Sequence, residues 1–192
     1  MIRLFVTIDI PEETKDEISQ IQIGLPSAKW TSRDQMHLTL RFIGEVDGRE
    51  FKEIASLLSE IEFTKFTIQL KGLGTFETKG VIRTFWVGVK KNEELFSLQR
   101  KIERKLVQFG LPIEERKFFP HITLARLNTN QQNIQQKHNI YPSNNSVGIG
   151  MLIEEHNLYC SNVIEVNQFH LYSSKLTPKQ SIYRKEYSFL LC

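Results

Sequence analysis

The sequence predicts an α+β protein that arose by internal duplication. Two observations carry this. Strand-like alternation and helical stripes interchange in the order strand, helix, strand, helix, strand, strand, helix, strand before Leu127. Within that order His37-Leu38-Thr39-Leu40 returns as His121-Ile122-Thr123-Leu124, each copy inside a strand. With 192 residues, 40% of them hydrophobic, the chain can bury one substantial core or two small lobes sharing an interface, and residues 1–192 read as a single domain.

Residues 2–9 alternate, with Ile2, Leu4, Val6 and Ile8 on one face, and read as a strand. Pro11 suits the first position of a helix, where its missing N–H costs nothing, and Ile18, Ile21 and Leu25 follow at helical spacing with Gly24 as the stop. A short extended piece at Lys29-Trp30 precedes the first histidine strand, about 36–43, which Gly44 is expected to end. Asp47 with Glu50 three residues later forms an N-cap pair before the stripe Phe51, Ile54, Leu57, Leu58 and Ile61. Strands at about 63–71 and 81–89 are joined by a loop holding Gly72, Gly74 and Lys79-Gly80. Asn92 caps a third helix, striped by Leu95, Leu98, Ile102, Leu106 and Phe109 and closed by Gly110. The second histidine strand, about 117–126, follows Pro112. Residues 128–146, rich in Asn and Gln, read equally as a surface helix or a loop, and 147–160 carries no clear pattern. Strands return at about 163–173 and 182–190.

A net charge of +3 fits an anionic ligand without demanding one. Cys160 and Cys192 form neither a disulfide framework nor a zinc motif, which points to a reducing compartment. The N-terminal segment is too short and polar for a signal peptide, and no run approaches the roughly 20 apolar residues that span a bilayer. A cytoplasmic protein, off the membrane and monomeric, is expected.

In an extended strand His37 and Thr39 share one face while Leu38 and Leu40 anchor the other, and His121 and Thr123 stand likewise against Ile122 and Leu124. Core packing alone asks for apolar residues at alternate positions and gives no reason for His and Thr opposite them twice. Paired histidines have three common uses. Metal binding usually recruits carboxylates or further imidazoles at close spacing, which neither copy has, so no metal and no cofactor is expected. Nucleophilic catalysis needs a marked Ser or Cys, and Ser32, Ser173 and Cys160 have no such context. Acid–base work fits best, because imidazole titrates near pH 6.5 and one neutral and one protonated ring can coexist. Spacing alone does not say which ring is which. Thr39 and Thr123 would then donate to the non-bridging oxygens of a phosphate, although each is also an ordinary strand former. Arg41 has the parity of His37 and Thr39 and would face the same groove, or else be a solvated surface charge. Arg126 has the opposite parity to His121 and reaches a ligand only if the strand bulges or ends near Ala125. His138, His156 and His170 lack the motif and read as structural or surface residues.

Beyond the two His-x-Thr-Leu copies, Arg3-Leu4-Phe5-Val6-Thr7-Ile8-Asp9-Ile10-Pro11, Phe42-Ile43-Gly44-Glu45-Val46 and Gly72-Leu73-Gly74-Thr75-Phe76 form a recognisable set. With Phe85-Trp86-Val87-Gly88-Val89, Phe119-Pro120, Ala125-Arg126 and Leu171-Tyr172-Ser173-Ser174-Lys175-Leu176, the chain resembles the two-histidine phosphoesterases. It is most similar to the RNA 2′,3′-cyclic phosphodiesterase branch, historically called 2′-5′ RNA ligases. The resemblance spans most of the chain except about 128–160, which is longer and richer in Asn and Gln than that family leads one to expect. It implies two intertwined lobes of antiparallel or mixed sheet around a central groove, helices outside, and a pseudo-two-fold relation. It also implies metal-free opening of 2′,3′-cyclic phosphates at RNA ends to 2′-phosphomonoesters. On that reading His37 is the proton donor to the departing 3′ oxygen and His121 the acceptor that activates water. Thr39, Thr123 and Arg126 would hold the phosphate, and Phe5 would stack on the terminal base or else lie in the core. A small-molecule cyclic phosphodiesterase, a 2′-5′ RNA ligase and a non-catalytic RNA-end-binding module are the alternatives.

Overall fold

The alternating apolar residues of the first strand find their partner in the first histidine strand, and the same arrangement recurs later in the chain. In the computed structural model, which describes residues 1–25, 28–127, 144–177 and 181–192, the first half is β1 (Ile2–Asp9), α1 (Glu12–Ser19), β2 (Ala28–Trp30), β3 (His37–Val46) and α2 (Gly48–Ser59). Then come β4 (Phe66–Thr78), β5 (Val81–Val89), α3 (Glu93–Phe109), β6 (His121–Leu127), α4 (Asn144–Glu155), β7 (Cys160–Val166), β8 (Gln168–Leu176) and β9 (Ser181–Leu190). These strands make two sheets, a four-stranded one in the order β3-β1-β8-β9 and a five-stranded one in the order β2-β6-β5-β4-β7. Every pairing is antiparallel.

The duplication is visible in this order. In each sheet a histidine strand pairs with the strand that precedes it across a helix, β3 with β1 across α1 and β6 with β5 across α3. β8 and β9 complete the first sheet, and β4 and β7 the second, whose far edge carries the short additional strand β2 beside β6. The C-terminal hairpin therefore finishes the N-terminal lobe, so no single cut separates the lobes. α2 and α3 pack on one another, and α3 reaches both β3 of the first sheet and β4 of the second.

The local chemistry explains the helix ends. Asp47 Oδ1 accepts from the backbone N–H of Arg49 and Glu50, and Glu50 Oε2 accepts from Asp47 N, all at 2.8 Å, a reciprocal capping box. Asn92 Oδ1 accepts from Leu95 N at 2.7 Å, and Gly110 at φ +110° closes α3 in the left-handed conformation glycine adopts freely. Of the expected stripes, Ile54, Leu58, Leu95, Leu98, Ile102 and Leu106 are all 0% exposed, while Phe51, Leu57 and Phe109 are partly buried at the edge of the core. Each fully buried side chain contributes about 1.5–3 kcal/mol of transfer free energy.

Four expectations needed correction. α1 ends at Ser19, and Ile21 and Leu25 are buried from the turns beyond it rather than from a longer helix. β3 continues through Gly44, which absorbs a register shift at φ +99°, to Val46. β4 runs on to Thr78, so Gly72 and Gly74 lie within a strand and the turn is Lys79-Gly80 alone, both at positive φ as a tight two-residue hairpin requires. The span 163–173 is two strands, β7 and β8, with 147–160 supplying most of α4 and the start of β7. The Asn/Gln-rich stretch through residue 143, with His138, lies outside the described residues. Cys160 and Cys192 are exposed and unpaired, and among the described residues no helix is long and apolar enough to cross a membrane.

Candidate active site

Both histidine strands carry a bulge at the same place. The β1–β3 register passes from Val6↔Arg41 to Thr7↔Thr39, leaving Leu40 unpaired, and the β5–β6 register passes from Phe85↔Ala125 to Trp86↔Thr123, leaving Leu124 unpaired. One extra residue reverses the parity of everything after it. Leu40 and Arg41 are consequently both buried, as are Leu124 and Ala125, and the next residues, Phe42 and Arg126, turn to the face of the His and Thr. Arg126 thus enters the site by the bulge its reading required.

The two faces converge on one cleft of about 300 Å³, lined by His37, Thr39 and Phe42 from β3 and by His121, Thr123 and Arg126 from β6. Thr31, Gln35, Thr84, Phe76, Arg116 and Tyr183 complete its wall. The sequence signals for these were weak. Phe76 and Tyr183 sit in alternating strands, where parity is readable but the face that meets the cleft is not.

Each imidazole is held by the carbonyl two residues before it. His121 Nδ1 lies 2.8 Å from Phe119 O, and the His37 ring donates to the backbone carbonyl of Gln35, at the end of a short 3-10 turn, Arg33–Gln35. A carbonyl only accepts, so this fixes the protonated nitrogen on that side. Burial holds both rings below the usual imidazole value, His37 at about 4. The Gln35 carbonyl and the Asp9 charge favour protonated His37, while Arg126 and His121 oppose it. Arg126 likewise disfavours a charged His121.

Two expected site residues do not face the cleft as supposed. Arg41 is 7% exposed; its guanidinium pairs with Glu103, donates to the Phe42 carbonyl and donates to Pro112 O at 2.5 Å. The Leu40 bulge turned it inward, where it ties β3 to α3 and to the segment leading into β6. Phe5 is 2% exposed and packs beneath the site, 5.1 Å from the His37 ring and 5.0 Å from that of Tyr183, so it supports the histidine and cannot stack on a base. His170, 1% exposed, is structural: its Nδ1 lies 2.9 Å from Ser188 Oγ.

A family profile described as LigT like Phosphoesterase matches the chain twice in succession, over residues 8–86 and 87–141. The chain belongs to this family of LigT-like phosphoesterases. An RNA 2′,3′-cyclic phosphodiesterase of Thermotoga maritima is 35% identical over 97% of this chain and 94% of its own length. One from Methanocaldococcus jannaschii is 32% identical over 95% and 96% respectively. The crystal structure of E. coli LigT complexed with NADP+ shares the fold, with a TM-score of 0.74 at 24% identity over 99% of this chain and 97% of that one.

The surroundings of His37 include a group the sequence did not flag. Asp9 pairs with His37 across the β1–β3 ladder and accepts from Tyr172 Oη at 3.0 Å, with Lys185 Nζ at 2.5 Å and His170 Nε2 at 3.5 Å. Burial alone would raise its carboxyl, yet the Lys185 and Tyr172 hydrogen bonds and the His170 and Lys185 charges hold it below the usual carboxylate value. Asp9 is therefore an anion beside His37, whose ring also lies near-parallel to that of Tyr172 at 6.4 Å. The two imidazoles, the Thr39 and Thr123 hydroxyls and the Arg126 guanidinium, gathered around one small cleft, are equipped to bind a phosphate and to move one proton in and one out.

Proposed function

We propose that the protein hydrolyses RNA 2′,3′-cyclic phosphate ends to 2′-phosphomonoesters without a metal ion, by paired-histidine acid–base catalysis. The observation that carries this reading is the convergence of both His-x-Thr faces, with Arg126, on a single cleft. The names of the relatives support the substrate. His121 takes a proton from water through the ring nitrogen that Phe119 leaves free, and the water oxygen bonds to phosphorus. The P–O3′ bond breaks, and the departing 3′ oxygen takes its proton from His37. Asp9 supports that assignment, because it favours protonated His37 and is absent from the groups acting on His121. Thr39, Thr123 and Arg126 donate to the phosphate oxygens, where charge grows in the transition state. The protein works in this reading as a cytoplasmic monomer on RNA 3′ ends.

The test is turnover of a 2′,3′-cyclic-phosphate oligonucleotide in EDTA, with the product isomer identified. A 2′-phosphate product is expected. His37→Ala and His121→Ala should each lower kcat by roughly 10²- to 10⁴-fold with the fold intact. Near-wild-type kcat in either variant, or loss of activity on chelation, would refute the mechanism.

A further inference from the structure

A second cavity, of about 540 Å³, opens off the two-histidine cleft and shares Thr39, Phe42, Phe76, Arg116 and His121 with it. Its outer wall is the segment between α3 and β6, which contributes Ile113, Lys117, Phe118 and Phe119. Phe42 is 53% exposed, Phe119 50% and Ile113 67%, a contiguous apolar surface of the kind that marks a binding groove. The wall is built rather than loose. Arg41 donates to Pro112 O, Glu114 N donates to Glu103 Oε1 at 2.9 Å, and the Phe119 ring packs at 5.0 Å on Trp86 and 5.6 Å on Phe76. Charge lies along the rim: Lys117 is exposed, and Arg116 keeps an 80% exposed guanidinium while pairing with Glu114 at 3.0 Å.

The cleft itself, at about 300 Å³, stands at the small end of ligand sites, which run to roughly 1,000 Å³. A cleft of that size suits a single nucleotide. An RNA strand whose cyclic phosphate sits between His37 and His121 has to continue elsewhere, and this groove is continuous with the cleft. Aromatic faces beside cations are how single-stranded nucleic acid is held with little sequence preference. We propose that the groove is a subsite for the nucleotide preceding the cyclic-phosphate end, its base against Phe119 and its phosphate toward Lys117. The inference rests on the cyclic-phosphodiesterase reading and sharpens it: oligonucleotide ends, not cyclic mononucleotides, are the substrate class.

The experiment compares kcat/KM for adenosine 2′,3′-cyclic phosphate with that for di- and trinucleotides ending in the same cyclic phosphate. The intact protein should favour the dinucleotide by about tenfold, the scale of one stacked base with one phosphate contact. Lys117→Glu and Ile113→Asp should erase most of that gain while leaving the cyclic mononucleotide within about twofold. Lys117→Glu should also flatten the salt dependence of oligonucleotide turnover. Equal kcat/KM for mono- and dinucleotide, or variants that depress both substrates alike, would overturn the subsite while leaving the phosphodiesterase reading standing. No turnover of either substrate by the intact protein would overturn both.

Discussion

At the scale of single residues, the two histidines differ in their surroundings more than in their motif. Both rings are held below the usual imidazole value by burial, His37 at about 4, but only His37 has a carboxylate, Asp9, among the groups acting on it. In the proposed mechanism the productive free enzyme has His37 protonated and His121 neutral. The protonated fraction of His37 falls as pH rises above 4, and the neutral fraction of His121 rises with pH through a value under 6.5. kcat/KM should therefore peak on the acid side of pH 6.5, whereas kcat should peak higher, because a bound phosphate anion favours the His37 cation. Asp9→Asn removes the charge that favours that cation, so its alkaline limb should shift to lower pH. A pH–rate profile of both proteins checks this, and an unshifted limb would remove Asp9 from the mechanism. Arg41→Ala should act differently. With its partner Glu103 only 16% exposed, it should cost about 3 kcal/mol of stability by urea unfolding and leave KM of the folded fraction for a cyclic mononucleotide nearly unchanged.

At the scale of elements, most of the strands and helices were legible because each rule acts over a few neighbours. The capping box at Asp47–Glu50, the Asn92 cap and the Gly110 stop depend on groups within one turn of each other. The destination of Arg41 was not legible. Alternation assigns it to the cleft, and only the pairing with β1 reveals Leu40 as an extra residue. Phe5 failed for a related reason, since parity says which face a side chain takes but not whether a neighbouring strand covers it; β8 does, through Tyr172. Asp9 went unremarked because its partners, Tyr172, His170 and Lys185, come from the far end of the chain. Gly74 of β4 and Gly88 of β5 have a packing reason that became visible only in three dimensions. A Cβ on Gly74 would lie 2.4 Å from the Trp86 ring, and one on Gly88 would lie 3.2 Å from it. Trp86 is backed by Phe76 and Phe119, so it has little room to yield. Gly74→Ala should therefore cost about 1–3 kcal/mol by denaturant unfolding, change the tryptophan emission and reduce turnover through displaced Phe76.

At the scale of the whole molecule, the lobes are not independent units. The last hairpin completes the first sheet, β4 belongs to the second, and α3 touches both. Unfolding should accordingly be a single transition. Tryptophan fluorescence reports Trp30 and Trp86, both in the second sheet, while amide exchange along β1 reports the first, and the two midpoints should coincide. Separate midpoints would mean that each half holds its own core. The interleaving also has a consequence for the site: the two imidazoles arrive on different sheets, so their separation is set by the packing of one sheet on the other and not by any local turn.

The matched bulges leave the two motif strands alike at every position facing the cavity except one, where Phe42 stands on the first and Arg126 on the second. A guest with no sense of direction could enter such a chamber either way round. One with a flat end and an anionic end cannot, and this single mismatch between twins tells an otherwise even-handed enclosure which way round its guest lies.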